Sequence, residues 1–234
     1  MPMRGLNTWF YEVAREAENW DAKEVLRWAF DTYGFKIAIA TGCGAEGVVI
    51  LDLATKIESN PQVFILDTGF LFTETRSLME DLERRYAITI ERVEPEYTPH
   101  EQAQIYGQAL WRECPDRCCQ IRKVDPLRKK LANFKAWVTG IRREQTVARS
   151  RVGKVDWDIK FGLTKVNPLA DWSEEMVWNY IREHRLPYNP MYDRGYPSIG
   201  CTHCTLPVRA GEERRAGRWS GFDKTECGLH QSEK

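Results

Sequence analysis

The sequence predicts an α/β protein in which helices cover both faces of a parallel sheet. Short apolar runs of strand length alternate with helical patterns over residues 37–140, and three strand–helix junctions contain a glycine turn. Parallel neighbours need crossover connections, and ligands of such sheets bind at the carboxyl ends of the strands. We therefore expect a Rossmann-like fold with its functional site at that edge.

The predicted elements follow in chain order. Residues 8–33 carry apolar side chains at helical spacing, which predicts one or two amphipathic helices. The predicted strands cover 37–40, 61–69, 88–93 and 134–140. The predicted helices follow the glycine-rich turn at 41–47 and cover 73–86 and 98–111.

The pattern changes near residue 151. Residues 155–173 contain only short apolar stretches and many turn-forming residues. Ser173 is a candidate N-cap for a helix that ends near residue 184. After Pro187 the sequence is mostly loop. A segment so poor in periodic apolar residues needs something other than a core to hold it, and ligation of Cys201 and Cys204 would serve.

Composition and charge exclude several classes of protein. The 234 residues are 42% hydrophobic and 29% charged with zero formal net charge, so no global field recruits nucleic acid or an anionic membrane. The N-terminal segment lacks an uninterrupted apolar stretch, so we expect neither a signal peptide nor a membrane span, and a cytoplasmic location. In that compartment thiols stay reduced, so the seven cysteines indicate metal ligands or catalytic groups more than a disulfide framework.

The turn TGCGAEG at 41–47 joins a predicted strand to a predicted helix. Glycines let backbone N–H groups crowd an anion, and a helix N-terminus adds partial positive charge, so the turn is a candidate phosphate site. It does not match the Walker A pattern, and a plain tight turn remains an alternative. We interpret Cys43 in this turn, and Cys114, as structural.

Four cysteines form a candidate metal centre. Cys118 and Cys119 are adjacent, and Cys201 and Cys204 form a CxxC turn. Four thiolates suit zinc or an iron–sulfur cluster. Because adjacent side chains point apart, the pair suits the widely spaced corners of a cubane better than one tetrahedral ion, and zinc remains the alternative.

Arginines concentrate near a thiol at the end of the chain. Cys227 lies in the polar stretch KTECGLHQSEK, where an idle exposed thiol would be an oxidation liability. Guanidinium forks match phosphate and sulfate oxygens in pairs. The basic residues of interest are Lys123, Arg142, Arg143, Arg149, Arg151, Arg209, Arg214, Arg215 and Arg218.

Several segments together resemble the assimilatory adenylyl-sulfate and phosphoadenylyl-sulfate reductases. The matching stretches are LDTGFLFTET, LWRECPDRCCQIRKVDPL, TGIRREQ, LPYNPMYDRGYPSIGC, RAGRW and KTECGLH, in the family's order from about residue 25 onward. The resemblance implies an adenine nucleotide alpha hydrolase-like fold. It implies one α/β domain over 1–220, with a loop-rich cluster-binding part at 187–220, and a mobile tail at 221–234.

The resemblance also assigns roles to residues of this chain. Cys227 is the expected redox-active nucleophile. The expected ligands of a [4Fe–4S] cluster are Cys118, Cys119, Cys201 and Cys204. The expected substrate-binding residues are Thr41, Gly42, Asp67, Thr68, Gly69, Lys123, Arg149, Arg215 and Arg218. Gly42-Cys43 stands where many members have Ser-Phe, so a hydroxyl ligand is lost there, and Thr41 is the candidate replacement.

The implied reaction is reduction of adenylyl sulfate to sulfite and AMP through an S-sulfo-cysteine on Cys227. Thioredoxin is the expected dithiol donor, with glutaredoxin as the alternative. Members with the four cluster cysteines generally use adenylyl sulfate, and use of phosphoadenylyl sulfate, alone or in addition, stays open. A nucleotide-binding redox sensor and an ATP-cleaving adenylating enzyme are the rival hypotheses. A homo-oligomer is compatible with the sequence but not specified by it.

Overall fold

The computed structural model describes residues 8–209, 211–224 and 226–230, and a six-stranded sheet lies within them. The strands are β1 (Ile37–Thr41), β2 (Val63–Leu66), β3 (Ile90–Val93), β4 (Ala136–Val138), β5 (Val155–Asp158) and β6 (Leu163–Val166). Their order across the sheet is β3-β2-β1-β4-β6-β5. All neighbours pair in parallel except β5 and β6, which are antiparallel.

Helices connect the strands and cover both faces of the sheet. They are α1 (Thr8–Ala17), α2 (Ala22–Tyr33), α3 (Ala45–Thr55), α4 (Thr73–Tyr86), α5 (Pro99–Tyr106), α6 (Leu110–Glu113), α7 (Pro115–Cys119), α8 (Asp125–Leu131) and α9 (Glu174–Glu183). A π-helical turn, Gln120–Val124, joins α7 to α8. As predicted, the Ser173 side chain caps α9 by accepting the Met176 N–H.

The core has one layer on each face of the sheet. On one face, α2, α4 and α9 pack around α3, whose residues from Val48 to Ala54 are all buried. A helix that is apolar all round belongs inside a core. On the other face, α8 packs through Leu127 and Leu131 against Phe64 of β2 and Trp137 of β4. The prediction of a parallel sheet with helices on both faces is confirmed.

The hairpin of β5 and β6 differs from the prediction of a turn-rich segment over 155–173. Its strands, VDWD and LTKV, carry charged residues where an apolar run would signal a strand. Tertiary contacts compensate: Lys165 lies 3.6 Å from the Asp158 carboxylate and 5.2 Å from the centre of the Trp137 ring. Local pattern therefore underestimates strand formation here, because the stabilising partners are not periodic in the sequence.

The helix predicted over 98–111 is shorter in the structure. α5 ends at Tyr106 because Gly107 adopts a φ of +90°, outside helical geometry, and the chain resumes helical structure at Leu110. This break turns the chain toward α7, which carries two of the four candidate metal ligands. In the part of the chain that the structure describes, no helix combines the length and apolarity that crossing a bilayer requires.

Candidate active site

The carboxyl ends of β1, β2 and β4 border a cavity of about 310 Å³. The turns that follow these strands form one wall, and loops from the C-terminal third of the chain form the other. The cavity is thus at the sheet edge where the sequence places the site. Of the predicted site residues, those that line it are Thr41, Gly42, Thr68, Lys123, Arg149, Cys201, Arg215, Arg218 and Cys227.

The glycine-rich turn after β1 is compact. The Thr41 hydroxyl oxygen accepts the Cys43 N–H at 3.1 Å, and Cys43 is buried with a φ of +51°. Gly47 lies so close that a Cβ there would be 2.6 Å from the Thr41 hydroxyl oxygen. The Ala45 N–H at the start of α3 donates to the Tyr192 hydroxyl at 3.0 Å. Thr41 keeps its own O–H as a donor for an anion in the cavity.

The turn after β2 contains three predicted substrate-binding residues, Asp67, Thr68 and Gly69, and they have two different roles. The Asp67 carboxylate accepts both Nη groups of Arg76, at 2.8 and 3.0 Å, and the Gly69 N–H at 3.0 Å. Gly69 adopts a φ of +72°. Asp67 and Gly69 therefore shape the turn, while Thr68 lines the cavity with its hydroxyl 3.4 Å from the Cys201 sulfur. Substrate binding by Asp67 and Gly69 stays a prediction.

The four candidate metal ligands, Cys118, Cys119, Cys201 and Cys204, line one small cavity beside the larger one, and Lys123 borders both. Within the described ranges, no three His, Cys, Asp or Glu side chains are close enough to share a single metal ion. Burial raises the pKa of the Cys118 thiol to about 11 and that of Cys119 to about 12. As thiolates, these groups would need a cationic partner.

Arg122 also indicates what kind of group the small cavity of the four cysteines suits. It is 1% exposed; its Nε donates to Gln102 at 2.8 Å and one Nη donates to the Thr68 carbonyl at 3.0 Å. The other Nη has no hydrogen-bond partner among the described residues. Because Arg122 lines the cavity of the four thiols, this buried donor fits a site that holds anionic sulfur.

The Cys227 thiol faces cations. Burial raises the pKa of this thiol. Lys123, a hydrogen bond from the Leu229 backbone and Arg218 lower the pKa by more than burial raises it, so the net pKa lies below the ordinary value. Burial lowers the pKa of Lys123, and the negative charge of Cys201 and Cys227 as thiolates raises it by more, so the ammonium stays charged. The arrangement favours a thiolate at Cys227, the reactive form of cysteine.

Arg218 and Arg215 are organised around Trp219, a residue the sequence analysis did not assign. The two guanidinium groups lie 4.5 and 5.7 Å from the indole ring centre, and the Lys224 ammonium lies 5.4 Å from it. Trp219 is buried and adopts a φ of +49°. The sequence could have indicated this role, because Trp219 directly follows Arg218 in RAGRW and arginine stacks on indole.

Replacing Gly200 by alanine is expected to disturb this site without unfolding the protein. A Cβ at Gly200 would overlap the guanidinium of Arg218, which is the end of a flexible side chain and can move aside. We expect AMP to bind about 10-fold more weakly, as for the loss of one charge-assisted contact, with Tm changed by at most about 3 °C. Titration calorimetry and thermal melting measure the two effects. A variant that binds AMP like the parent would show that the position of Arg218 is unimportant for the nucleotide.

Glu226, Cys227, Leu229 and His230 of the tail line the cavity. The Glu226 carboxylate accepts two hydrogen bonds from Arg149, at 2.9 and 2.7 Å, and one from Arg215 at 3.3 Å. His230 stacks on Trp137 with ring centres 5.7 Å apart. The sequence analysis assigned neither Glu226 nor His230, although both flank Cys227 in ECGLH and lie within reach of the arginine-rich loops once the chain folds.

Comparison with known proteins identifies the family of this chain. Residues 36–207 match the family model described as phosphoadenosine phosphosulfate reductase domain. The chain belongs to this family. It is 48% identical to the adenosine 5'-phosphosulfate reductase of Halalkalibacterium halodurans, over 94% of this chain and 96% of that protein. It is 44% identical to the phosphoadenosine 5'-phosphosulfate reductase of Gloeobacter violaceus, over 98% and 97% of the two chains.

Among solved structures, the chain is similar to phosphoadenylyl-sulfate reductase from Candida auris in complex with phosphate. The TM-score is 0.76 at 29% identity, over 86% of this chain and 98% of that one. The resemblance predicted from the sequence to this reductase family is thereby confirmed, as is the fold class. The family match over 36–207 includes Lys123 and the four clustered cysteines and ends before Arg215, Arg218 and Cys227.

Proposed function

We propose that this protein reduces adenylyl sulfate to sulfite and AMP in sulfate assimilation. The observation that carries the proposal is the convergence of Cys227, Lys123, Arg215 and Arg218 on one cavity at the nucleotide-binding edge of the sheet. The relatives named adenosine 5'-phosphosulfate reductase support it. In this proposal Arg149 and the turn residues Thr41, Gly42, Asp67, Thr68 and Gly69 complete the substrate site.

The first step is nucleophilic displacement at sulfur. The Cys227 thiolate attacks the sulfur atom of the sulfate group; a sulfur–sulfur bond forms, and the bond from that sulfur to the bridging oxygen of AMP breaks. The departing oxygen stays on the AMP phosphate with the electron pair. Lys123 and Arg218 reduce the repulsion between the thiolate and the substrate's oxygens, and with Arg215 they stabilise the negative charge that builds on the leaving phosphate.

A dithiol partner releases sulfite. One thiolate of thioredoxin attacks the Cys227 sulfur, expels sulfite and forms a mixed disulfide; the second thiol then resolves this disulfide, so the dithiol supplies both electrons. Glutaredoxin is the alternative donor. For the partner to reach Cys227, the tail at 221–234 must move away from the domain at 1–220, and such gating suits a thiol that visits two sites.

We further propose that Cys118, Cys119, Cys201 and Cys204 hold a [4Fe–4S] cluster. Their shared cavity and the buried Nη of Arg122 that has no hydrogen-bond partner among the described residues support this assignment. When bound, the cluster supplies local charge beside Lys123 and a covalent tie across the fold. Through Cys201 and Cys204 it would fasten the segment 187–208 to the sheet domain, where α7 carries Cys118 and Cys119.

Cys201→Ser is expected to lose the cluster and part of the stability. Anaerobically purified protein should contain about four iron and four sulfide per chain, and the variant should contain little of either. Its Tm should fall by about 2–4 °C per kcal/mol lost. Cys114→Ser, at an exposed thiol, is the matched control and should keep its iron. An iron-free Cys201→Ser protein with full stability and activity would contradict both roles of the four cysteines.

Product analysis tests the reaction itself. The anaerobic protein is incubated separately with adenylyl sulfate and with phosphoadenylyl sulfate, each with reduced thioredoxin or glutaredoxin, and sulfite and nucleotide are quantified. We expect sulfite and AMP in equal amounts from adenylyl sulfate, at the higher kcat/KM. Preference for the 3'-phosphorylated substrate would favour the second candidate function, which the Gloeobacter violaceus relative's name supports. Absence of sulfite from both substrates would contradict a reductase.

A further inference from the structure

Glu226, the residue before the proposed nucleophile, occupies the anion site that the arginines form. Its carboxylate accepts the Nε and Nη2 groups of Arg149 at 2.9 and 2.7 Å and an Nη group of Arg215 at 3.3 Å. The side chain is buried, and Glu226 as a whole is 4% exposed. Paired N–H groups on one carboxylate are the same arrangement with which guanidinium binds phosphate or sulfate.

The contact links distant parts of the chain. Arg149 precedes Glu226 by 77 residues and lies on the loop after β4. The third nitrogen of its guanidinium group, Nη1, donates to the Gln145 side-chain oxygen on the same loop. The fork of Arg149 that faces the cavity is therefore taken by the tail. Glu226, Arg149 and Arg215 all line the same cavity as Lys123 and Cys227.

An anionic substrate and Glu226 cannot use these guanidinium groups together without repulsion. A phosphate or sulfate group placed at the Arg149 fork would meet the buried carboxylate of Glu226, which carries a like charge. Either the substrate leaves these arginines alone, or it displaces Glu226 from them. The predicted role of Arg149 and Arg215 in holding substrate anions requires the second.

We propose that Glu226 is a positioning residue that imitates the substrate's anion: it holds the tail at the cavity, and the substrate must displace it from Arg149 and Arg215. Because Cys227 is bonded directly to Glu226, displacement of the carboxylate also moves the thiol. Filling the anion site and releasing the nucleophile become a single event. This inference rests on the proposed function for the identity of the anion, and on the observed ion pairs for the competition.

The tail has a second attachment that leaves Glu226 free to exchange. The Lys160 ammonium donates to the Gly228 carbonyl at 2.6 Å, and His230 stacks on Trp137. Lys224, on the other side of Cys227, pairs with Asp116. These contacts flank the Glu226 site on both sides, so the carboxylate can leave its arginines while the tail stays near the cavity.

Equilibrium binding of AMP, the proposed product, tests the competition without turnover. In Glu226→Gln the amide keeps the shape but loses the charge that competes for guanidinium. We expect AMP to bind about 10-fold more tightly than to the parent, the factor for one charge-assisted contact, and KM for adenylyl sulfate to fall with it more than kcat changes. Glu226→Asp should stay within about 3-fold of the parent. Glu74→Gln, which removes the exposed pair with Arg194, is the matched control and should leave AMP affinity unchanged.

Unchanged or weaker AMP binding by a folded Glu226→Gln protein would overturn the inference. If Glu226→Gln binds AMP no more tightly and also has a lowered Tm, Glu226→Asp decides between the two explanations. Weaker AMP binding by Glu226→Asp than by the parent would show that Glu226 only supports the fold. The proposed function fails separately: if no sulfite forms from either substrate while Glu226→Gln still tightens AMP binding, the competition stands and the reaction does not.

Discussion

Cys227→Ser protein is expected to release sulfite from adenylyl sulfate at least about 10³-fold more slowly than the parent. The serine hydroxyl stays protonated beside the same cations that favour a thiolate, so no covalent intermediate forms and the displacement at sulfur has no nucleophile. Sulfite release with reduced thioredoxin, followed anaerobically, measures the loss. AMP binding should persist, because Lys123, Arg215 and Arg218 are untouched.

Two controls separate this effect from a general loss of structure. Cys114→Ser removes an exposed thiol far along the sequence from the tail and should retain the parent rate. Iron content and Tm of Cys227→Ser should match those of the parent, since Cys227 is not among the proposed cluster ligands. Parent-like sulfite release by Cys227→Ser would point instead to a nucleotide-binding protein whose cysteines report redox state.

Lys123→Gln is expected to lower the rate at neutral pH by about 10²–10³-fold. Burial raises the pKa of Cys227, and Lys123 makes the largest of the contributions that lower it. Without this ammonium the pKa rises, so at a given pH a smaller fraction of Cys227 is thiolate. The rising limb of kcat/KM against pH should therefore move to higher pH.

The rate of Cys227 alkylation against pH measures the same shift without substrate. The midpoint of the profile should lie at higher pH in Lys123→Gln than in the parent. Lys129→Gln is the matched control, because its ammonium pairs with Glu96 at 3.0 Å on the exposed surface. Coincident alkylation profiles for the parent and Lys123→Gln would show that this lysine does not set the thiol's pKa.

The edge of the sheet that carries the site could be predicted from the sequence. Parallel strands bring their carboxyl ends together, so the turns at Thr41, Thr68 and Gly140 were bound to meet whatever the details of packing. The spacing of adjacent cysteines and a CxxC turn likewise indicated a shared centre, and their side chains do line one cavity. These features depend on local pattern and topology alone.

Other features depend on contacts between distant residues and could not be predicted in this way. The hairpin of β5 and β6 relies on Lys165 packing against Asp158 and Trp137. Asp67 forms a salt bridge with Arg76 on α4. Arg76 is partly exposed, and the helical periodicity of the sequence does not indicate that it pairs with Asp67. The capture of Glu226 by Arg149 requires a loop and a tail to meet, which only the folded chain determines.

The most direct measurement is the mass of the peptide that follows Lys224 after a single anaerobic turnover with adenylyl sulfate and no thioredoxin. The account predicts one sulfonate group on Cys227 per AMP released, and its loss with equimolar sulfite once reduced thioredoxin is added. Release of AMP and sulfite with Cys227 never modified, under conditions that trap the adduct, would contradict it.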